Sequence, residues 1–273
     1  MKHETEYDWS ALNRECSDII KDVIKDWRDL IAADKCERFY QKFLCEHAGL
    51  FFGDSGTCLT IGQLQLGTKY RPDLVVAHDF RSGGVLYELI ELKRPSHLPF
   101  NTGGLPSQHL NRALKQVSEW RNRIVENCSE VKDRMPAPHP ADRRCAYTII
   151  IGTRDNTGAR EKERNRLADS FSHQSRLNIR SYDYLTDKLI KSRFVRSSPN
   201  HLFGDDLTLN RLANPFTKAF TDKSWRSLLL RVQQSSTDRL AVFQDHFLSC
   251  ARNEVVEALT YNPLLEKFAA KQG

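Results

Sequence analysis

The chain has 273 residues, 40% of them apolar and 28% charged, and 41 basic against 35 acidic residues give a formal net charge of +6. This is the composition of an ordinary globular protein, long enough for one large domain with an appendage, and it excludes a low-complexity chain. The modest positive charge is compatible with a polyanionic partner such as nucleic acid but does not establish one.

Several further classes of protein are excluded by the sequence. No apolar run approaches the roughly 20 residues that a membrane-spanning helix needs, and the polar N-terminus does not have the pattern of a signal peptide. The seven cysteines are an odd number and include no CxxC pair, which argues against a zinc ribbon or a disulfide framework. We therefore expect a cytoplasmic protein with reduced thiols and no membrane partner.

Two helices are predicted at the start of the chain. Apolar residues recur at spacings of three and four over residues 9–33, the pattern of one amphipathic helix that packs on a core. A second helix is expected over 34–46. Asp34 and Glu37 have the spacing of a capping box, in which the first residue caps the helix and the second returns the hydrogen bond.

A β-hairpin is predicted over residues 73–93. Two β-rich runs flank a turn that contains Gly83 and Gly84. Side chains alternate along a strand, so Glu91 and Lys93 should share one face while the residue between them points to the opposite layer. Asp73 opens the partner strand, where a bend can bring its carboxylate beside Glu91. Two carboxylates and a lysine would then meet, which predicts a divalent-metal site with a cation next to it.

The segments that follow complete an α/β pattern. A loop over 96–107 is predicted to contact substrate, and Gln116 lies on the next helix as either an ordinary surface residue or an amide that faces the site. We expect a sheet covered by helices on its faces. The predicted elements are a helix over 108–131, a buried strand over 146–151, a helix over 158–174, a strand over 177–182 and a helix over 185–190.

The composition changes beyond residue 193. A linker-like passage is followed from Pro215 onward by two helical patterns with apolar stripes, one around Trp225 and one around Phe243. We divide the chain into an N-terminal helix (1–33), a central domain (34–195) and a helical extension (196–273). The stripes are too apolar to remain in water, so we expect the extension to pack on the core or to form a homo-oligomer.

The central motifs resemble a known family. The dipeptide PD at 72–73 and the tripeptide ELK at 91–93 match the PD-(D/E)xK signature of restriction-endonuclease-like nucleases. Taken in order with their neighbours, they resemble the C-terminal nuclease domain of the Shedu family of antiphage defence proteins, over roughly residues 34–190. The neighbouring sequences are ERFYQKFLCEHAGLFFG, ELKRP, a helix with Gln116-x-x-x-Trp120, YTIIIGTR and NIRSYDYL.

The resemblance implies a restriction-endonuclease-like core and Mg²⁺-dependent hydrolysis of phosphodiesters in DNA, with Mn²⁺ as a possible substitute. Asp73 and Glu91 would then hold the metal, and Lys93 would hold the attacking water or stabilise negative charge. Glu37 is either an additional ligand or part of the helix cap, and Gln116 is a candidate for positioning the water or a phosphate.

A second function remains open from the sequence. The chain can be a catalytically inactive module with the nuclease fold that binds nucleic acid or mediates assembly. The intact set of Asp73, Glu91 and Lys93 favours the enzyme, because a site that has lost its activity need not keep all three residues. No P-loop, Rossmann, GxSxG or HExxH motif offers an alternative site.

Overall fold

The structure is a computed structural model that describes residues 9–52, 57–79, 85–126, 131, 145–157, 176–191 and 219–227. The helices are α1 (Trp9–Ala32), α2 (Glu37–Glu46), α3 (Ala48–Phe52), α4 (Gln108–Val125), α5 (Arg154–Thr157) and α6 (Tyr182–Lys191). Residues 222–227 are also helical. The strands are β1 (Thr57–Gly62), β2 (Leu74–Asp79), β3 (Val85–Leu92), β4 (Cys145–Ile150), β5 (Arg176–Arg180) and β6 (Phe220–Thr221).

The strands form one mixed sheet of six strands in the order β5-β4-β3-β2-β1-β6. β1, β2 and β3 are antiparallel neighbours, whereas β4 and β5 run parallel to β3. The predicted hairpin is therefore confirmed as β2 and β3, in a register that places Leu74 opposite Ile90. Helices cover the sheet, which confirms the predicted α/β fold class.

The two faces of the sheet have separate apolar cores. On one face, Leu89 packs in a cluster with Tyr147 and with the buried side of α4, including Trp120. On the other face, Ile90 and Leu92 pack in a cluster with side chains of α1, α2, α3 and α6. This follows from the alternation of side chains along β3, and it places α4 and α2 on opposite sides of the strand that carries the ELK motif.

Aromatic packing fixes the helices on the second face. Trp27 of α1 is fully buried, stacks on Tyr182 with 5.7 Å between ring centroids, and donates to Thr186 Oγ1 at 3.1 Å. Tyr40 of α2 lies edge-on to the same tryptophan. The part of the predicted amphipathic stripe that runs from Val23 to Ile31 is thus a packing surface, which holds α2 against the sheet.

The predicted capping box is wrong. α2 begins at Glu37, and its N-cap residue is Cys36, whose side chain makes no capping hydrogen bond. Asp34 adopts a left-handed conformation with φ 41°, and its carboxylate accepts hydrogen bonds from Arg94 Nη2 at 2.5 Å and from the Ser96 N–H at 3.2 Å. The Asp34 carboxylate is therefore engaged by Arg94 and by the Ser96 N–H, and not by the N–H groups at the start of α2.

The other predicted elements of the central domain are confirmed where the structure describes them. α4 occupies the first part of its predicted range, β4 is buried along its whole length, and β5 and α6 follow in order. The predicted helix over 158–174 lies outside the described residues. In the part of the chain that is described, no helix is both long enough and apolar enough to cross a membrane.

Residues 219–227, within the predicted extension, join the same sheet. β6 pairs in parallel with the end of β1, and the Ala219 N–H donates to the Cys45 carbonyl at 2.7 Å. Trp225 is 1% exposed and belongs to the α4-side core. The sequence did not predict this strand. The remaining stripes of the extension lie outside the described residues.

Candidate active site

The end of β3 presents alternate side chains to opposite faces, as predicted. Glu91 pairs in register with Ile149 of β4 and shares the face of Leu89, towards α4. Leu92 is fully buried in the opposite cluster. The Lys93 N–H continues the pairing by donating to the Ile150 carbonyl at 2.8 Å. The backbone at Lys93 is therefore fixed, and its side chain returns to the face of Glu91.

Asp73 is held beside this strand by three elements. Its Oδ2 accepts a hydrogen bond from the Leu92 N–H at 2.8 Å, and its carbonyl accepts from the Gln63 N–H at 3.0 Å and from Gln41 Nε2 at 3.3 Å. Gln63 Nε2 in turn donates to Gln41 Oε1 at 3.1 Å. β3, α2 and the residue that follows β1 thus fix both the carboxylate and the backbone of Asp73.

Lys93 connects β3 to α4. Its Nζ donates to Glu91 Oε1 at 2.6 Å and to Gln116 Oε1 at 3.1 Å. Glu91 is 3% exposed, so this ammonium is its charge partner in a site from which water is largely excluded. Gln116 therefore faces the site, and the alternative of an ordinary surface glutamine is excluded.

Burial dominates the electrostatics of the two carboxyl groups. It raises the pKa of Asp73 and that of Glu91, and the nearby Asp73 charge raises the pKa of Glu91 further. Lys93 acts in the opposite direction on both pKa values but does not cancel the effect of burial. Two acids crowded in a poorly solvated site favour an additional cation, because one ammonium cannot compensate both negative charges.

Glu37 stands at the first position of α2 and is half-buried. Its charge also raises the pKa of Asp73 and of Glu91, so the three acids interact electrostatically. Among the residues the structure describes, however, no group of three or more His, Cys, Asp or Glu side chains could hold a metal ion. The structure therefore does not bring Glu37 into a three-ligand set with Asp73 and Glu91.

The donor set of this pair fits a hard divalent cation. Carboxylate oxygens of Asp73 and Glu91 are its side-chain donors, and the backbone carbonyl of Leu92 lies between Glu91 and Lys93 in the chain. Mg²⁺ prefers oxygen ligands, needs only one or two carboxylates and retains several waters. The raised pKa of both acids is a second indication, because a bound cation would offset the cost of burying their charges.

Two contacts beside the site were missed by the sequence analysis. The bond of Arg94 to Asp34 joins the residue after Lys93 to the junction of α1 and α2. The rings of His97 and His109 stack with centroids 3.5 Å apart and planes 13° apart. Of these residues, only Arg94 lies in a segment that carries the family resemblance, ELKRP, so only its role could have been suspected from the sequence.

Comparison with known proteins identifies the family. The family model described as "Shedu protein SduA, C-terminal" matches residues 34–186, the range that contains all five predicted site residues. No curated protein matches the chain. Since the match covers more than half of the 273 residues, the chain belongs to the family of the Shedu protein SduA.

Proposed function

We propose that this chain is a Mg²⁺-dependent endodeoxyribonuclease of the PD-(D/E)xK type that acts on phage DNA in a Shedu-type antiphage defence in the cytoplasm. The observation that carries the proposal is the convergence of Asp73, Glu91 and Lys93 at one end of the paired strands β2 and β3. Asp73 is bonded to the backbone of the ELK strand, and Lys93 lies between Glu91 and Gln116.

Asp73 and Glu91 would hold the metal ion, with the Leu92 carbonyl as a further ligand. Glu37, whose charge acts on both carboxylates, is proposed to contact the waters that such an ion retains. When bound, Mg²⁺ or Mn²⁺ lowers the pKa of a coordinated water and neutralises charge on the phosphate. The protein would contribute the carboxylates of Asp73 and Glu91, whose positions are already fixed by hydrogen bonds without the ion.

Lys93 would supply a preorganised positive charge next to the metal. Its ammonium is oriented by two acceptors, Glu91 Oε1 and Gln116 Oε1, so it loses little freedom when it hydrogen-bonds the attacking water or a phosphate oxygen. A donor that is fixed in advance stabilises the charge that develops in the transition state at low reorganisation cost. This is the role that the family resemblance assigns to the lysine of the ELK motif.

Gln116 would act through both ends of its amide. An ammonium can only donate, so the contact with Lys93 assigns the oxygen of the amide to that side. The NH₂ group is then a donor available to the attacking water or to a phosphate oxygen. Gln116 would therefore orient the lysine and the substrate at the same time.

Cleavage of plasmid DNA tests the proposal. We expect the purified protein to convert supercoiled plasmid to nicked or linear forms with Mg²⁺ or Mn²⁺ and not with EDTA. Asp73→Asn should abolish cleavage, and Glu46→Gln, on the exposed side of α2, should not. Binding of DNA without any metal-dependent cleavage would contradict the proposal and favour the inactive nucleic-acid-binding module instead.

A further inference from the structure

A stacked pair of histidine rings lies beside the candidate active site. His97 follows Lys93 by four residues, and its N–H donates to the Arg94 carbonyl at 3.1 Å in a turn. His109 lies in the first turn of α4. The rings are 3.5 Å apart and nearly parallel, and both residues are half-buried. The pair therefore joins the segment after the ELK motif to the helix that carries Gln116.

The loop that carries His97 is held rigid by its own hydrogen bonds. The Asn101 N–H donates to the Leu105 carbonyl at 2.9 Å, and the Leu105 N–H donates to Asn101 Oδ1 at 3.0 Å. The Ser107 N–H closes the base of the loop on the Pro99 carbonyl at 2.9 Å, and Phe100 is anchored in the α4-side core. The histidine pair is thus held on a scaffold that keeps its ring positions fixed.

Burial determines which nitrogen of His97 carries the proton. Nδ1 is buried and has no hydrogen-bond partner, so protonation there would bury an N–H without an acceptor. Burial and the neighbouring His109 ring lower the pKa of His97, and the charges of Arg94 and Lys93 lower this pKa further. The Asp34 carboxylate opposes them. These contacts favour the neutral imidazole of His97, with its proton on Nε2 and not on the buried Nδ1.

The two nearest cations are partly engaged within the protein. Lys93 donates to Glu91 and Gln116, which leaves its third N–H for the phosphate that is cleaved, and Arg94 Nη2 donates to the carbonyl and the carboxylate of Asp34. The sequence from residue 95 to residue 111 contains no Asp, Glu, Lys or Arg. A neighbouring phosphate that approaches this segment would therefore meet neutral donors.

We propose that His97 donates an Nε2–H hydrogen bond to a phosphate oxygen of the nucleic acid, at a phosphate next to the one cleaved at Lys93. His109 is a positioning residue that fixes the plane of the His97 ring by stacking. The proposal rests on the proposed nuclease function, and it adds a substrate contact outside the metal-binding and ELK residues.

Equilibrium binding of DNA without metal tests the contact separately from cleavage. The probe is a short fluorescein-labelled duplex in EDTA, followed by fluorescence anisotropy. His97→Leu should weaken binding about tenfold, the effect of losing one hydrogen bond to a charged group. His97→Gln should restore most of the affinity, because its amide nitrogen occupies the position of Nε2. His97→Asn should not, because its amide lies at the position of Nδ1.

Two further variants separate the donor from the stack. His109→Phe should retain binding because it keeps a flat ring against His97, whereas His109→Ala should weaken it. His47 provides the matched control, since its ring packs on Phe43 with centroids 4.5 Å apart at the end of α2. His47→Leu should bind DNA like the wild type. Thermal melting of each variant verifies that it is folded.

The pH dependence checks the neutral state of His97. A neutral donor predicts that the ratio of the wild-type and His97→Leu affinities stays constant between about pH 6 and pH 8, across the ordinary titration range of histidine. A ratio that grows as the pH falls would show a charged contact and overturn the assignment. Equal losses for His97→Leu and His97→Gln would show that the stack is only structural and would also overturn it.

The outcome for the wild type separates this inference from the proposed function. If the wild type binds and cleaves DNA while His97→Leu binds equally well, the nuclease function stands and the phosphate contact is wrong. If the wild type neither binds nor cleaves DNA, the proposed function fails and the contact fails with it.

Discussion

The Oδ2 atom of Asp73 lies 2.8 Å from the backbone nitrogen of Leu92. This hydrogen bond connects the PD motif directly to the ELK motif across the β2–β3 hairpin. It uses one oxygen of the carboxylate and leaves the other available for a cation. Because Leu92 anchors the same strand in the core on the opposite face, the position of Asp73 depends on the packing of the whole sheet.

This arrangement predicts different effects for two substitutions of Asp73. Asp73→Asn keeps an oxygen acceptor for the Leu92 N–H and removes the charge, so the protein should remain folded and lose both cleavage and its thermal stabilisation by Mg²⁺. Asp73→Ala also leaves that N–H without its partner, which should cost about 1–3 kcal/mol more. Thermal melts with and without Mg²⁺ measure both effects, and an undiminished Mg²⁺ shift in Asp73→Asn would place the metal elsewhere.

Lys93 should contribute to folding as well as to cleavage. From the sequence alone we expect its substitution to leave folding nearly intact, because Leu92 is the core residue. The structure adds that Glu91 is 3% exposed and would lose its charge partner. Lys93→Met, which keeps the aliphatic stem, should therefore abolish cleavage and lower the unfolding temperature of the metal-free protein, with partial recovery in Mg²⁺. A melting temperature equal to the wild type without metal would contradict this.

A polar group on the other face of β3 predicts a pH-dependent contribution to stability. Burial acts to raise the pKa of Glu88, but hydrogen bonds from His78 and from Thr148 Oγ1, the latter at 2.5 Å, hold this pKa below its ordinary value. A depressed folded pKa stabilises the protein above the unfolded value of about 4.3, and the benefit is lost as the pH falls through the folded value.

The difference in unfolding free energy between the wild type and Glu88→Gln should therefore shrink as the pH falls below about 5. Urea unfolding at pH 7 and at pH 4 measures it. A difference that is the same at both pH values would mean that the charge of Glu88 does not contribute. The unrelated variant Glu46→Gln, on the exposed side of α2, should show no such trend.

Trp225 should be essential to the stability of the central domain. It is 1% exposed in the α4-side core, and Phe220 of β6 lies beside it with centroids 6.3 Å apart. Trp225→Ala should destabilise the protein by about 3–5 kcal/mol in a single cooperative urea transition. Arg226→Ala, which removes an exposed side chain and its ion pair with Asp222, should cost under about 1 kcal/mol. If the two variants had similar unfolding free energies, residues 219–227 would not belong to the core that unfolds cooperatively, and the prediction would be wrong.

The apolar stripes beyond residue 228 predict self-association. Their sequence requires a partner surface, and closed symmetric assemblies are a common way to provide one. Light scattering of the intact chain at micromolar concentration should give a mass above that of one 31.5 kDa chain. Truncation before residue 219 is unsuitable as a comparison, because it also removes β6 and Trp225. A monomeric mass for the intact chain would contradict the prediction.

Features encoded by local periodicity could be predicted from the sequence. The hairpin follows from two β-rich runs around a glycine-containing turn, and the shared face of Glu91 and Lys93 follows from the alternation of side chains along a strand. The buried strand β4 follows from a continuous apolar run. The placement of Gln116 required tertiary information. The helical period shows which face of α4 carries this glutamine, but it does not show which residues of the sheet that face meets. The family resemblance made Gln116 a candidate for the site, and its contact with Lys93 places it there.

The features that were missed depend on contacts between distant residues. Asp34 has the local pattern of a helix cap, but Arg94, 60 residues away, binds it instead. Gln41 is a buried glutamine whose partners are a carbonyl and another glutamine, and no local pattern distinguishes it from a surface residue. β6 has two residues, too few for a period, and its pairing depends on β1 far earlier in the chain.

The matched pair Glu91→Gln and Glu88→Gln tests the central claim most directly. Both residues lie on β3, one on the α4 face and one on the opposite face, and both substitutions remove one charge from a poorly exposed carboxyl group. The measurement is the single-turnover rate of plasmid nicking in Mg²⁺. We predict that Glu91→Gln removes detectable cleavage and that Glu88→Gln, assayed where it is folded, cleaves at a rate close to the wild type. Cleavage that survives in Glu91→Gln, or is lost equally in both variants, would contradict the assignment of the active site to the ELK face of β3.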